Sequence, residues 1–340
     1  MNALPWHREV LSQIAALRER MPHALLVQGR AGIGKLEFAR ALAASVLCES
    51  PGAGLACGEC ASCHWISQGN HPDYREILPE AAIEDGEEAD EAGKPDKSDK
   101  AKSLVIKIDQ VRAVADFIAL TTHRAGFRVL LIHPAEAMLP AAANALLKTL
   151  EEPPEHTLII LVSDQPSRLL STIRSRCRPI ALAAPGREEA LQWLRSESIA
   201  GAEAALAAAG GAPLLARDLA APEEAELRKR IVNELARPGG ADALQFASTL
   251  DKGAAPKLVF WMQTWVHDLV CVRMAGEARH HVEHAQALAA RARGADLDAL
   301  FALDRELAEA RRLASHPLNA RLVAEHLLMA YNRATMEARP

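Results

Sequence analysis

Hydrophobic positions along the chain follow two regimes that meet near residue 185. Before that point, short unbroken apolar runs alternate with stretches in which apolar residues recur every three or four positions. The runs at 24–28, 128–132 and 157–162 are apolar almost throughout. Such runs predict strands buried on both faces, as in a parallel sheet. Shorter runs at 74–78, 104–108 and 178–182 predict further strands, with 74–78 at an edge. Helical periodicity fills the intervals at about 35–47, 109–120, 136–151 and 168–175. In 109–120, Val111, Val114, Ala115 and Ile118 fall on one face, and 136–151 is stopped by Pro153-Pro154. Alternation of this kind predicts an α/β domain over 1–182, a parallel sheet with helices on both faces.

After Pro185 only the helical period persists. Residues 187–220 are rich in Ala and Leu and break at Gly210-Gly211, which predicts a small helical module over 183–218. From about 222 to 337 there is no strand signal, so 219–340 reads as an all-α domain. Residues 256–275 place Leu258, Trp261, Met262, Trp265, Leu269 and Val272 on one stripe. That stripe fits a bundle core or interface better than a cofactor box. Residues 296–313 and 317–335 behave alike, the last opening at Pro317. No internal repeat is visible.

Charge alters this picture at one place. The chain of 340 residues carries a formal net charge of −5. Segment 80–103 holds nine carboxylates against four lysines, so it accounts for the whole imbalance. It has few large apolar residues and predicts a disordered acidic insertion rather than a folded element. The remainder is neutral, which argues against a protein that wraps nucleic acid through its own charge. An aromatic content of 4% argues against a stacking platform for single strands. No run reaches the roughly 18 apolar residues of a membrane span. The first residues lack a basic stretch followed by an apolar one. A soluble, cytoplasmic chain is expected.

Candidate chemistry sits in four motifs. The first, Gly29-Arg30-Ala31-Gly32-Ile33-Gly34-Lys35-Leu36, follows a predicted strand and opens a predicted helix. It fits a phosphate-binding loop in which backbone amides and a lysine cradle phosphates. The Ser or Thr that would ligate Mg²⁺ is replaced by Leu36. The second is the end of the 128–132 strand. An ATPase of this class places acidic residues there, to hold Mg²⁺ and polarise water. Here His133 and Pro134 stand in those places, followed by Ala135-Glu136. Hydrolysis at this site should be negligible, while Lys35 leaves open phosphate binding without turnover.

The third motif is Cys48-x8-Cys57-x2-Cys60-x2-Cys63. Four thiolates at this spacing fit a closed, structural zinc site, with His64 a bystander. Cys271, on the Trp-rich helix, is expected in the core. The fourth is Arg174-Ser175-Arg176-Cys177-Arg178. It fits either a solvated helix end or a guanidinium that completes a neighbour's phosphate site.

These motifs occur in one order together with Asn144-Ala145-Leu146-Leu147-Lys148-Thr149-Leu150-Glu151-Glu152-Pro153-Pro154. In that order the chain resembles the bacterial DNA polymerase III clamp-loader subunits of the AAA+ superfamily. The resemblance covers about 1–215 by motif and the rest by helical layout. It implies an ATPase-like domain, a helical lid, and a helical collar that builds a five-subunit ring. It implies Arg176 as an arginine finger acting in trans and Ser163 at the sensor position. It implies Cys48, Cys57, Cys60 and Cys63 as zinc ligands. Partners would be the gamma/tau and delta subunits, the sliding clamp and primed DNA, with no membrane. Gly210-Gly211-Ala212-Pro213 lacks the lid arginine of an active loader ATPase. The expectation is therefore a non-hydrolysing loader subunit. The alternatives are a gamma/tau-type ATPase, disfavoured by Leu36, His133 and Pro134, and a zinc-dependent DNA-binding module, disfavoured by the neutral charge.

Overall fold

The computed structural model describes residues 3–82, 103–119, 126–237, 241–251, 253–313 and 319–335. The chain forms two compact units, Met1–Ala184 and Pro185–Pro340. In the first, β1 (Ala24–Gln28), β2 (Tyr74–Ile77), β3 (Arg128–Ile132), β4 (Thr157–Ser163) and β5 (Arg178–Ala181) make one sheet in the order β2-β3-β4-β1-β5. Every pairing is parallel, and the central register sets Val27 against Val162 on one side and Ile180 on the other. β3 and β4 are buried at every residue, as unbroken apolar runs require when helices cover both faces.

The helices of this unit are α1 (Arg8–Ala15), α2 (Lys35–Leu47), α3 (Ala61–Ser67), α4 (Ile108–Ala119), α5 (Pro140–Glu151) and α6 (Ser171–Arg174). On one face, Leu26, Leu130, Ile132, Ile159 and Leu161 pack with Val111 and Ile118 of α4 and Leu146 and Leu150 of α5. α2 lies against β1, β3 and β4, with Phe38 and Leu42 wholly buried.

Two segments differ from expectation. Residues 104–108 form no strand. Only Ile106 bridges, donating to the Ala137 carbonyl at 2.8 Å and accepting from the Leu139 amide at 3.0 Å. α4 starts at Ile108, and the Gln110 side chain accepts the Lys107 amide at 2.9 Å, so helix initiation takes the residues a ladder would need. The helix expected from 136 begins at Pro140, where a missing amide is no loss, and Ala135–Ala137 is a single 3-10 turn.

The acidic segment 80–103 falls mostly outside the described residues. Its two ends are described and clasped: the Ala81 amide donates to the Ser103 carbonyl at 3.0 Å. Glu80 accepts the Ser103 amide at 3.3 Å and pairs with Lys107 at 2.8 Å.

The second unit is helical: α7 (Arg187–Ser196), α8 (Ala202–Ala208), α9 (Pro213–Leu219), α10 (Pro222–Ala236), α11 (Ala243–Ser248), α12 (Ala255–Ala275), α13 (Ala285–Gly294), α14 (Leu297–Leu313) and α15 (Ala320–Thr335). Pro317 lies outside the described residues. α7–α9 enclose a small core around Leu191, Leu194 and Leu206. A larger core gathers Ile231 and Leu235 of α10, the Trp261, Met262 and Trp265 stripe of α12, and Leu328 and Tyr331 of α15. Trp265 Nε1 donates to the Tyr331 hydroxyl at 3.0 Å, which donates to the Leu235 carbonyl at 2.7 Å. That chain satisfies the polar ends of two fully buried aromatics. Cys271 is not in this core. It is half-exposed, 3.6 Å from His267 Nδ1, because it lies on the flank of α12 away from the Trp stripe. Among the described residues, no helix is long and apolar enough to cross a membrane.

Candidate functional site

The carboxyl ends of β1, β3 and β4 converge on the turn 29–34. A Cβ at Gly29 would lie 2.7 Å from the Leu182 carbonyl oxygen, so only glycine lets β1 leave the sheet here. Gly34, at φ 93°, starts α2 in the left-handed region, with Leu4 packed directly over it. Trp6 Nε1 donates to the Ile33 carbonyl at 2.9 Å. His7 stands edge-to-face on Phe38 at 5.6 Å. The segment before α1 therefore lies across the loop.

Lys35 is 4% exposed, and its ammonium is already engaged. It donates to the Arg30 carbonyl and pairs with the Asp164 carboxylate, which follows the last residue of β4. A carboxylate thus occupies the partner position that an anionic phosphate takes in a working loop. His133 sits at the end of β3, half-buried, with Nδ1 lacking a partner among the described residues. Burial lowers its pKa against the pull of Asp164, so it stands as a neutral imidazole. Glu136 Oε1 accepts the Asp164 and Gln165 amides, both at 2.9 Å, and fixes the turn that presents Asp164. Ser163 is fully buried at the end of β4, its hydroxyl likewise without a partner among the described residues. No carboxylate stands at 133 or 134 and no hydroxyl at 36, so the loop has none of the oxygen ligands that hold Mg²⁺ at those positions.

Arg176 follows α6, and the structure joins it to the 144–154 run. Its Nη2 pairs with Glu151 Oε1 at 2.7 Å, and Nη1 donates to the Thr172 carbonyl at 2.9 Å. The side chain remains 35% exposed. Arg174 and Arg178 face solvent, while Cys177 is buried with its thiol pushed up to about 11 by desolvation. The cysteine of this triplet is therefore a core anchor.

The four clustered cysteines converge. Their sulfurs all lie within 4.8 Å of one another, with Cys48–Cys60 and Cys57–Cys63 both at 3.9 Å. A tetrahedral zinc with bonds of about 2.3 Å needs sulfurs about 3.8 Å apart, so the set fits that ion. Amides also point at the sulfurs: Cys57 donates to Cys48 Sγ at 3.3 Å, Cys60 to Cys57 Sγ at 3.3 Å and Cys63 to Cys60 Sγ at 3.4 Å. His64 is exposed and outside the cluster. Arg18 donates to the Cys48 carbonyl at 3.0 Å, and Ser45 accepts the Ala56 amide at 3.2 Å. Beneath them Ser62 and His71 meet at 2.7 Å, which invites comparison with a nucleophile and its base. The polarity runs the other way. Ser62 donates to the Leu47 carbonyl at 2.7 Å, and His71 Nδ1 accepts the Asp73 amide at 3.0 Å. Nε2 therefore carries the proton and gives it to Ser62, making the pair a brace.

Sequence reasoning missed three participants: Asp164, Glu151 as the partner of Arg176, and the Leu4–His7 cover. Asp164 had a signal, a carboxylate immediately after a strand that ends at the loop. Glu151 was in view without a role. Leu4 and Trp6 gave no signal, since their place depends on where the chain folds back.

Comparison with known proteins follows this geometry. The family model described as DNA polymerase III, delta subunit, matches residues 7–186, and its C-terminal counterpart matches residues 222–332. The chain is 39% identical to DNA polymerase III subunit delta' of Pseudomonas aeruginosa over 267 residues, 77% of this chain and 75% of that one. It is 33% identical to the subunit of the same name from Escherichia coli over 288 residues, 83% and 78%. Among solved structures it is similar to a DNA polymerase III gamma subunit-related protein from Thermotoga maritima, at TM-score 0.46 and 18% identity, covering 96% of this chain and 99% of that one.

Proposed function

Because the chain belongs to the DNA polymerase III delta' subunits, we propose that it is a non-hydrolysing member of the clamp loader. It supplies Arg176 in trans to the ATP held by a neighbouring subunit. In this proposal 1–182 is the ATPase-like domain, 183–218 the lid and 219–340 the collar that joins gamma/tau and delta subunits. Together they place the sliding clamp on primed DNA.

The observation that carries the arginine role is the Glu151–Arg176 contact at 2.7 Å. A guanidinium held by a carboxylate and by the Thr172 carbonyl, with its side chain still 35% exposed, is fixed in place and retains donors beyond those two contacts. That suits recognition of phosphate oxygens on another chain. Its own domain offers it no reacting phosphate, because Lys35 is bound by Asp164 and the Mg²⁺ ligands are missing. Ser163, at the sensor position, has lost a nucleotide to sense. Cys48, Cys57, Cys60 and Cys63 would hold Zn²⁺, which supplies a closed four-thiolate crosslink and no reactive position.

The test is reconstitution with gamma/tau and delta subunits. Arg176→Ala should assemble normally and slow turnover at one adjacent site by on the order of 10³-fold. Total ATPase falls only in part, and loading of the clamp on primed DNA falls further. Arg176→Lys should not restore it, since a point charge lacks the fork. Equal single-turnover hydrolysis and loading in wild type and Arg176→Ala would sink the proposal.

A further inference from the structure

Away from the cysteine cluster, a second group of metal-ligating side chains gathers at the C-terminal half of α12. The ligand atoms of His267, Asp268 and His280 lie within 4.8 Å of one another. His280 Nδ1 is 3.2 Å and His267 Nδ1 3.7 Å from Asp268 Oδ1. Cys271, one turn along from His267, places its sulfur 3.6 Å from His267 Nδ1 and 3.8 Å from its Nε2, against the ring and outside the converging set. Around a tetrahedral zinc, nitrogen and oxygen ligands stand about 3.3–3.6 Å apart. The two imidazoles cross at 87° with centres 5.0 Å apart. Two rings bound to one tetrahedral ion have centres separated by about 5 Å.

The carboxylate of this group is already set in place. Asp268 is fully buried, and its Oδ1 accepts the Arg279 amide at 3.0 Å and the His280 amide at 3.1 Å. Its Oδ2 accepts the His280 amide at 2.9 Å and the His281 amide at 2.7 Å. Such contacts hold a ligating oxygen in one orientation before an ion arrives. His267 is 47% exposed, so the site is open to solvent on one side.

We propose that His267, Asp268 and His280 form a second site, one that takes up a divalent transition ion such as Zn²⁺ reversibly, with solvent completing its coordination on the open side. The ion takes the place of the 3.2 Å contact between His280 Nδ1 and Asp268 Oδ1. It ties the end of α12 to the turn at 279–281. The mixed nitrogen and oxygen donor set suits Zn²⁺ or Co²⁺ rather than Mg²⁺ or Ca²⁺, which require oxygen.

The experiment uses the full chain, first given one equivalent of Zn²⁺ to fill the four-cysteine site, then titrated with Co²⁺ or further Zn²⁺. A second equivalent should bind, with visible absorption of four-coordinate Co²⁺ and a rise in Tm on adding Zn²⁺. His267→Ala, at an exposed position that leaves the fold intact, should weaken the second equivalent by at least about 10-fold and abolish the Tm rise. His280→Ala should do the same. Cys271→Ser, outside the converging set, should leave the second equivalent in place. His326→Ala, a surface histidine paired with Glu306 elsewhere, should change nothing. Uptake that stops at one equivalent, or a second equivalent that survives His267→Ala, overturns the proposal.

Discussion

Single residues at the loop engage one another: Lys35 pairs with Asp164, Trp6 bonds to Ile33, and His7 packs on Phe38. His7 shows the energetic side. It is 1% exposed, neither ring nitrogen has a partner among the described residues, and burial followed by the nearby Lys35 charge lowers its pKa to about 4. The unfolded chain takes up that proton near pH 6.5, before the folded chain does. Stability from this group is therefore present at neutral pH and lost as pH falls from 6.5 toward 4. The loss between pH 7 and pH 5 comes to about 2 kcal/mol. His7→Leu should shrink the fall in urea-unfolding free energy over that interval by about this amount, and an unchanged fall would remove His7 as its source. Leu36, His133 and Pro134 were legible in the sequence because each breaks a pattern at a fixed spacing. Lys35 was legible only as present. That its charge is already balanced by Asp164 follows from the β1–β4 register, which no local spacing contains.

At the scale of elements, the buried strands and long helices were legible because unbroken and three-to-four periodicities are strong signals. The failures occurred where two elements compete for the same few residues. At 104–108 the start of α4 prevailed over a strand, and at 136–139 the carboxylate of Glu136 was committed to the β4 turn before a helix could form. The segment from Cys48 through α3 has another basis. It is short, and its buried residues Cys48, Ser62, Cys63 and Ile66 are too few to order it alone. The bonds of Ser45 and Ser62 tie it to α2, and an ion held by the four thiolates would supply the rest. Cys60→Ser should therefore lower zinc from one per chain to none by elemental analysis. Amide exchange should quicken across 48–71 while the β3 and β4 amides stay protected. Zinc retained at full stoichiometry would remove Cys60 from the ligand set.

For the whole molecule, a change of hydrophobic period near residue 185 was legible, and the structure divides at 184/185 into two units that each enclose their own core. The way the acidic segment joins the sheet domain was not. Composition marks it as an insertion, whereas the clasp between Ala81 and Ser103 defines where it leaves and re-enters the fold. Shortening a closed loop several-fold changes its closure entropy by only about 1 kcal/mol, in the stabilising direction. Replacing 84–101 with a short Gly-Ser linker should leave urea stability within about that margin and ring assembly unchanged. A loader that failed to assemble, with the clasp preserved, would assign the segment a partner.

The bond between Lys35 and Asp164 also bears on descent. A loop that lost only its magnesium ligands could regain hydrolysis one substitution at a time. This one has filled the vacancy with its own carboxylate. A hydroxyl introduced at 36 would leave Lys35 still paired with Asp164. Acids restored at 133 and 134 would crowd a carboxylate already present. Removing Asp164 first would leave a buried ammonium without its counter-charge, which is strongly destabilising. On the proposed non-hydrolysing reading, each single step back is useless or harmful, so hydrolysis is held behind a ratchet.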